Sequence, residues 1–340
     1  MTAEQVLPMT SLLDRDSDLD PAQMVEHLVP PRQFHSATLD SYRPDRDYPS
    51  QGAAVAAIRH FALGFVTKPG GFFSRRRIPA ERPGVYLDGG FGVGKTHLLA
   101  ALWHLAPGRK YFGTFIEYTA LVGALGYVGA IKQLAGASLI CIDEFELDDP
   151  GDTRLMSRLL SELVASGSRI AATSNTPPNA LGEGRFAAQD FLREIDALAS
   201  RFTTIRIDGL DYRKRDIEGH ATALTDEELA WVILEPTGEF TADSFDQVVT
   251  HLATIHPSRY VRLIEGLDSI VLTGVHALAN QTDALRFVAF VDRLYDAQVH
   301  IFATGTPLDE IFDENMLSGG FRKKYLRAVS RLIALTAGQV

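Results

Sequence analysis

One short run, Gly89-Gly90-Phe91-Gly92-Val93-Gly94-Lys95-Thr96, constrains this chain more than any other feature. The apolar triplet Val85-Tyr86-Leu87 precedes it, and Leu98, Leu99, Leu102 and Leu105 follow at helical spacing. A G-x-x-x-x-G-K-T pattern between a strand and a helix is the pattern of a phosphate-binding loop. Glycines let the backbone turn tightly and aim N–H groups at phosphate oxygens. The helix that starts near Thr96 adds its positive dipole end. Lys95 is then expected to reach the β- and γ-phosphates of ATP, and Thr96 to offer its hydroxyl to Mg²⁺. His97 closes the nucleotide-binding run.

Downstream, strands and helices alternate. Leu139-Ile140-Cys141-Ile142 reads as a buried strand, Thr153 to Ala165 as a helix, Arg169 to Thr173 as a strand, and Thr203 to Ile207 as another. Arg109 to Tyr118 reads as extended and Gln51 to Phe65 as a helix. Such alternation predicts an α/β P-loop fold, a parallel sheet with helices on both faces. The acids Asp143-Glu144 follow the buried strand directly, at the C-terminal sheet edge where α/β proteins bind ligands. Asp143 is expected to hold Mg²⁺ and Glu144 to orient and polarise an attacking water. A third strand ends in Ala172-Thr173-Ser174-Asn175, where Asn175 can hydrogen-bond the γ-phosphate or serve only as a turn former. Arg201, in Ala199-Ser200-Arg201-Phe202, sits just ahead of a strand. It can reach a neighbouring subunit's nucleotide as a catalytic arginine or neutralise the end of its own helix. Arg193 is the second candidate for that role.

The rest of the chain divides into an acidic N-terminal extension (1–35), the nucleotide-binding core (36–208) and a mixed α/β C-terminal region (209–340). Within the last, Thr225 to Val232, Phe240 to Ile255, Asp283 to Ala297 and Phe321 to Leu335 read as helices, and Ser269–Leu272 and Val299–Thr304 as strands. Ser269–Thr304 resembles Leu139–Thr173: both read strand, loop, helix, then a strand ending close to a Thr-Pro pair. An internal duplicate and two independent βαβ units both account for that.

The 340 residues are enough for one large or two modest domains, and 46% apolar residues can build a core. A net charge of −10 sets nucleic acid aside as the default partner. Cys141 is the one cysteine, so no internal disulfide can form. Asp14, Asp16, Asp18 and Asp20 make the N-terminus unlike a signal or transit peptide, and no run is apolar enough to span a bilayer. A cytoplasmic location is expected.

Taken together, Gly89–Thr96, Ile142-Asp143-Glu144-Phe145, Ala172 to Pro178 and Asp211-Tyr212-Arg213 resemble the ZapE family of bacterial cell-division ATPases, AAA-type proteins with mitochondrial relatives. Arg286-Phe287, Val291-Asp292-Arg293-Leu294-Tyr295-Asp296 and Ser330-Arg331-Leu332 extend the resemblance over most of residues 35–335. It implies ATP hydrolysis coupled to remodelling of protein partners, with the division protein FtsZ as the bacterial target, and a homo-oligomer formed with ATP. Departures fall at Glu146-Leu147-Asp148-Asp149, at Arg185-Phe186-Ala187 and at Leu285-Arg286-Phe287, and bear on the partner surface. Arg259, Arg286, Arg327 and Arg331 are all candidates for a second nucleotide-sensing arginine. Two other classes fit the nucleotide motifs: a loader or initiator ATPase acting on nucleic acid, and a nucleotide-dependent binding switch.

Overall fold

Gly84 to Gly89 form strand β1, whose six residues are all buried because helices cover both faces of its sheet. The computed structural model describes residues 10–18, 20–65, 82–145, 150–177, 199–210, 219–234 and 238–337. Arg185-Phe186-Ala187, Arg193, Asp211-Tyr212-Arg213 and most of the helix expected over 191–200 lie outside them. Contacts divide the chain into two compact units: Asp20–Pro30 with Phe34–Tyr212, and Met1–Leu19 with Pro31–Gln33 and Arg213–Val340.

The P-loop unit holds helices α1 (Pro21–Glu26), α2 (Pro49–Leu63), α3 (Lys95–Leu105), α4 (Phe115–Leu134) and α5 (Pro150–Ala165). Its other strands are β2 (Lys110–Thr114), β3 (Leu139–Asp143), β4 (Arg169–Ser174) and β5 (Phe202–Ile207). All five strands run parallel in the order β2-β3-β4-β1-β5. Side-chain alternation sorts the core into two layers. Val85, Leu87, Leu139, Cys141 and Ala171 pack with α2 and α3. Tyr86, Ile140, Ile142, Ile170 and Ala172 pack with α4 and α5. This is a P-loop α/β sheet covered on both faces, and Cys141 is a fully buried core residue of it.

The extended reading of Arg109 to Tyr118 is corrected at its second half. Thr114 caps α4, accepting a bond from Glu117 N, while Glu117 reaches back to Thr114 N. That reciprocal box supports a helix from Phe115 onward, and α4 runs to Leu134 with a kink at Gly126. At Phe240 to Ile255 a second correction has the same cause. Strand β6 (Phe240–Ser244) comes first, and the Ser244–Gln247 box then starts α7 (Phe245–Thr254).

The C-terminal unit adds α6 (Asp226–Leu234), β7 (Ser269–Val275), α8 (Tyr260–Leu263), α9 (Gln281–Ala297), β8 (His300–Gly305), α10 (Glu314–Ser318) and α11 (Arg322–Thr336). Strands β6, β7 and β8 form a parallel sheet in that order. Ile270, Leu272, Ile301 and Ala303 face α7, α9 and α11, while Val271 and Phe302 face α6. Of the expected N-terminal extension, Thr10 bridges to Thr241, and Asp243 accepts bonds from Ser11 Oγ and Leu12 N.

Between α9 and α11, Asp292 receives both Arg327 and Arg331 in a nearly buried cluster. Asp292→Ala leaves two guanidiniums without the carboxylate between them and is expected to cost about 3–5 kcal/mol. Urea denaturation checks this; a change below about 1 kcal/mol contradicts it.

Candidate active site

The loop Gly89–Gly94 links the C-terminal end of β1 to the first turn of α3. Gly92 and Gly94 have φ values of 65° and 81°, in the left-handed region that favours glycine. At Gly94 a Cβ would also lie 2.5 Å from the Tyr42 ring, so both conformation and space require glycine. Lys95 is nearly buried, and its Nζ donates to Gly89 O (2.9 Å), Gly90 O (2.5 Å) and Asn175 Oδ1 (2.8 Å). The loop carbonyls thus hold the ammonium at the loop, with the end of β4 beside it.

One strand away, Thr96 Oγ1 donates to Asp143 Oδ2 at 3.1 Å. Thr173, on β4, donates its hydroxyl to the other Asp143 oxygen. Burial, and secondarily the charge of Glu144, push the Asp143 carboxyl upward; the bonds from Thr173 and Thr96 and the charge of Lys95 oppose them. A buried carboxylate beside a hydroxyl, under electrostatic pressure from a second acid, suits an oxygen-ligated divalent cation. Thr96 and Asp143 therefore fit Mg²⁺.

Glu144 has φ 53°, unusual for a residue with a side chain. Its N–H donates to Thr173 Oγ1 at 3.1 Å, and Phe145 N donates to Thr173 O at 2.7 Å. Phe145 is buried among Tyr86 and Phe115 and anchors the turn. Backbone strain is thereby held at the residue expected to act on water.

Gly89 to Thr96, Asp143, Glu144 and Asn175 are therefore brought together. Two expected residues stand apart. The His97 side chain turns to Thr38 O (2.9 Å) and Ser41 Oγ (3.1 Å). Arg201 lies just before β5, its carbonyl accepting from Gly84 N at 3.2 Å. Because β1 and β5 are parallel and paired from Gly84↔Phe202 to Gly89↔Ile207, Arg201 is at the sheet edge opposite the P-loop. The strand length puts it about 17 Å from its own loop.

Sequence reasoning missed the segment that braces the loop. Tyr42 donates its hydroxyl to Val93 O (2.7 Å), and its ring lies beside His97. Burial raises the Tyr42 phenol to about 12, which keeps it a neutral donor. Gln51 Nε2 donates to Asp208 O at 3.0 Å, and Gln51 Oε1 accepts from Asp45 N at 2.8 Å. Tyr42-Arg43-Pro44-Asp45 carries only a turn signal in sequence, which says nothing about what the turn touches. Arg206 joins Asp88, at the base of the loop, to Asp208.

The cell division protein ZapE of Escherichia coli K12 is 29% identical over 315 residues, covering 79% of this chain and 82% of that protein. Lactation elevated protein 1 homolog B of Danio rerio is 23% identical over 300 residues, 71% of this chain and 59% of that one. Among solved structures, the DnaC helicase loader aligns over 52% of this chain and 99% of its own at 18% identity with a TM-score of 0.38, too distant to bear on function. A model of the AFG1-like ATPases matches residues 20–231 and 232–340. With both units matched and the P-loop assembled against its acids, this chain belongs to the AFG1-like ATPase family.

Proposed function

We propose that the chain hydrolyses ATP at Lys95, Thr96, Asp143, Glu144 and Asn175 and couples turnover to remodelling protein partners, division proteins of the FtsZ kind among them. The observation that carries this reading is the Lys95–Asn175 bond beside the Thr96–Asp143 pair, with the Glu144 backbone held by Thr173. Lys95 exchanges its loop carbonyls for phosphate oxygens when the triphosphate enters. Asn175, released from Lys95, is left within reach of the γ-phosphate and of the water that attacks it. Glu144 orients that water and withdraws its proton as the water oxygen bonds to the γ-phosphorus and the bond from that phosphorus to the ADP oxygen breaks. Thr96 and Asp143 would hold Mg²⁺, which when bound would supply charge stabilisation to the phosphates.

Arg201 acts across a subunit interface in this reading, because its own nucleotide is at the far edge of the sheet. A head-to-tail contact of that kind closes into a ring if the rotation allows. The test is sedimentation of the Glu144→Gln protein with and without ATP, followed by identification of what it retains from cells. ATP-dependent assembly that retains division proteins supports the proposal. A monomer at every concentration in both conditions overturns the oligomeric part, and retention of nucleic acid in place of protein overturns the partner class.

A further inference from the structure

Glycines give the phosphate loop its shape and also leave one of its peptides free to turn over. Val93 stands between Gly92 and Gly94, both at positive φ. Its buried side chain pins its Cα, but not the plane of the peptide that joins it to Gly94. A peptide that precedes a glycine at φ near +80° can flip, the rotation that relates type I to type II turns. Glycine accepts both forms, because φ of either sign is open to it. The rotation also spares the start of α3, since the Gly94 carbonyl keeps its bond from Leu98 N (3.1 Å) in either form.

The two forms differ in what they offer a nucleotide. The peptide is trans, so its C=O and N–H point in opposite directions. With Val93 O turned toward Tyr42, the Gly94 N–H points away from that ring and is a donor for a phosphate oxygen. Turned over, the same peptide presents its carbonyl oxygen to the phosphate, and the two oxygens repel.

One side chain decides between them. The Tyr42 hydroxyl holds Val93 O at 2.7 Å, and the Tyr42 ring closes on Gly94, 2.5 Å from where a Cβ would stand. Burial keeps the phenol protonated, so this donor persists through the neutral pH range. Tyr42 is in turn held by the residues before it. Thr38 and Ser41 each donate a backbone N–H to the other's hydroxyl at 3.0 Å, which closes a turn. His97, in the first turn of α3, fastens that turn through Thr38 O (2.9 Å) and Ser41 Oγ (3.1 Å). A carbonyl only accepts, so His97 Nε2 carries the proton. Its ring lies 5.8 Å from the Tyr42 ring, and the Phe34 ring meets it edge-on. The side chain that follows Thr96 in the nucleotide-binding run therefore grips the segment carrying Tyr42.

We propose that Tyr42 is a positioning residue for phosphate binding: its hydroxyl fixes the Val93–Gly94 peptide with the N–H toward the nucleotide, and His97 acts through it. The proposal rests on nucleotide binding at the P-loop, a premise that Lys95→Ala tests separately. Tyr42→Phe keeps the ring and removes only the hydroxyl. KM for ATP and Kd for ADP are expected to rise together by about three- to ten-fold, the worth of one hydrogen bond. The kcat at saturating ATP stays within about two-fold of the parent, because a bond made equally in ground and transition states changes binding alone. His97→Ala moves both constants in the same direction, and the double variant is no weaker than Tyr42→Phe, since the two side chains act through one bond. A side chain that served only the fold would lower the nucleotide-free melting temperature and kcat while leaving the affinity of the folded protein in place. That pattern, or unchanged ADP affinity in Tyr42→Phe while Lys95→Ala loses ADP, would overturn the proposal. Unaltered ADP binding by Lys95→Ala would overturn the P-loop reading and this proposal with it. If Tyr42→Phe does not fold, His97→Ala carries the measurement, and parental ADP affinity in that variant counts against the proposal in the same way.

Discussion

Glu144→Gln is expected to bind ATP as the unaltered protein does and to lose turnover by about 10²–10⁴-fold. Gln keeps the shape of the side chain and the backbone bond from residue 144 to Thr173 Oγ1, so the phosphate loop and the Thr96–Asp143 pair stay in place. What disappears is the group that takes a proton from water. Nucleotide affinity and steady-state hydrolysis, measured on the same preparation, separate the two. Hydrolysis at the unaltered rate would remove Glu144 from the mechanism. The left-handed backbone at 144 adds a second test. A side chain there costs about 1–2 kcal/mol relative to glycine. Glu144→Gly is therefore expected to be inactive yet no less stable than the parent, by roughly that amount if anything more so. A backbone strained at the acid expected to act on water is what a functional constraint on that acid predicts.

Local signals in this sequence carried the nucleotide site well. Gly92, Gly94, Lys95 and Thr96 are contiguous, and their chemistry depends on a strand before and a helix after, both readable from apolar spacing. Asp143 and Asn175 were legible because buried strands point their C-terminal ends at the same crevice. The helix boundaries that failed did so at Thr114 and Ser244, where a hydroxyl residue and a Glu or Gln three places later end a strand abruptly. The signal was present in Thr114-Phe115-Ile116-Glu117 and Ser244-Phe245-Asp246-Gln247, but apolar continuity across it read as one element. Tyr42 and Gln51 were beyond sequence reasoning for a different reason. Their partners, Val93 O and Asp208 O, are backbone carbonyls distant along the chain, and a carbonyl leaves no trace in residue identity. The second sheet was half visible. Strands β7 and β8 stood out as apolar runs, whereas Phe240-Thr241-Ala242-Asp243-Ser244 alternates too weakly to announce β6.

Arg201→Ala is expected to retain ATP binding and to lose turnover by a factor that reaches roughly 10³ for arginines of this type. Such an arginine stabilises charge developing on the phosphoryl group in transit, so its removal leaves the bound ground state untouched. The sheet geometry sharpens the prediction. Arg201 precedes β5 at the edge where Gly84 begins β1, and the P-loop leaves β1 at the opposite edge. With about 17 Å between them along the strand, Arg201 cannot reach the phosphates of its own chain without unravelling the sheet. Any catalytic effect must therefore cross to another copy. Mixing tests this directly. An Arg201→Ala subunit keeps an intact nucleotide pocket, and a Lys95→Ala subunit keeps an intact Arg201. Neither is active alone, yet combining them creates interfaces where a working pocket faces a working arginine, and part of the hydrolysis should return. If Arg201 instead neutralises the end of its own helix, the single variant melts at a lower temperature, hydrolyses ATP near the parent rate per folded molecule, and gains nothing from mixing. That second pattern would leave Arg193 as the remaining candidate and would take away the reason to expect catalysis between subunits.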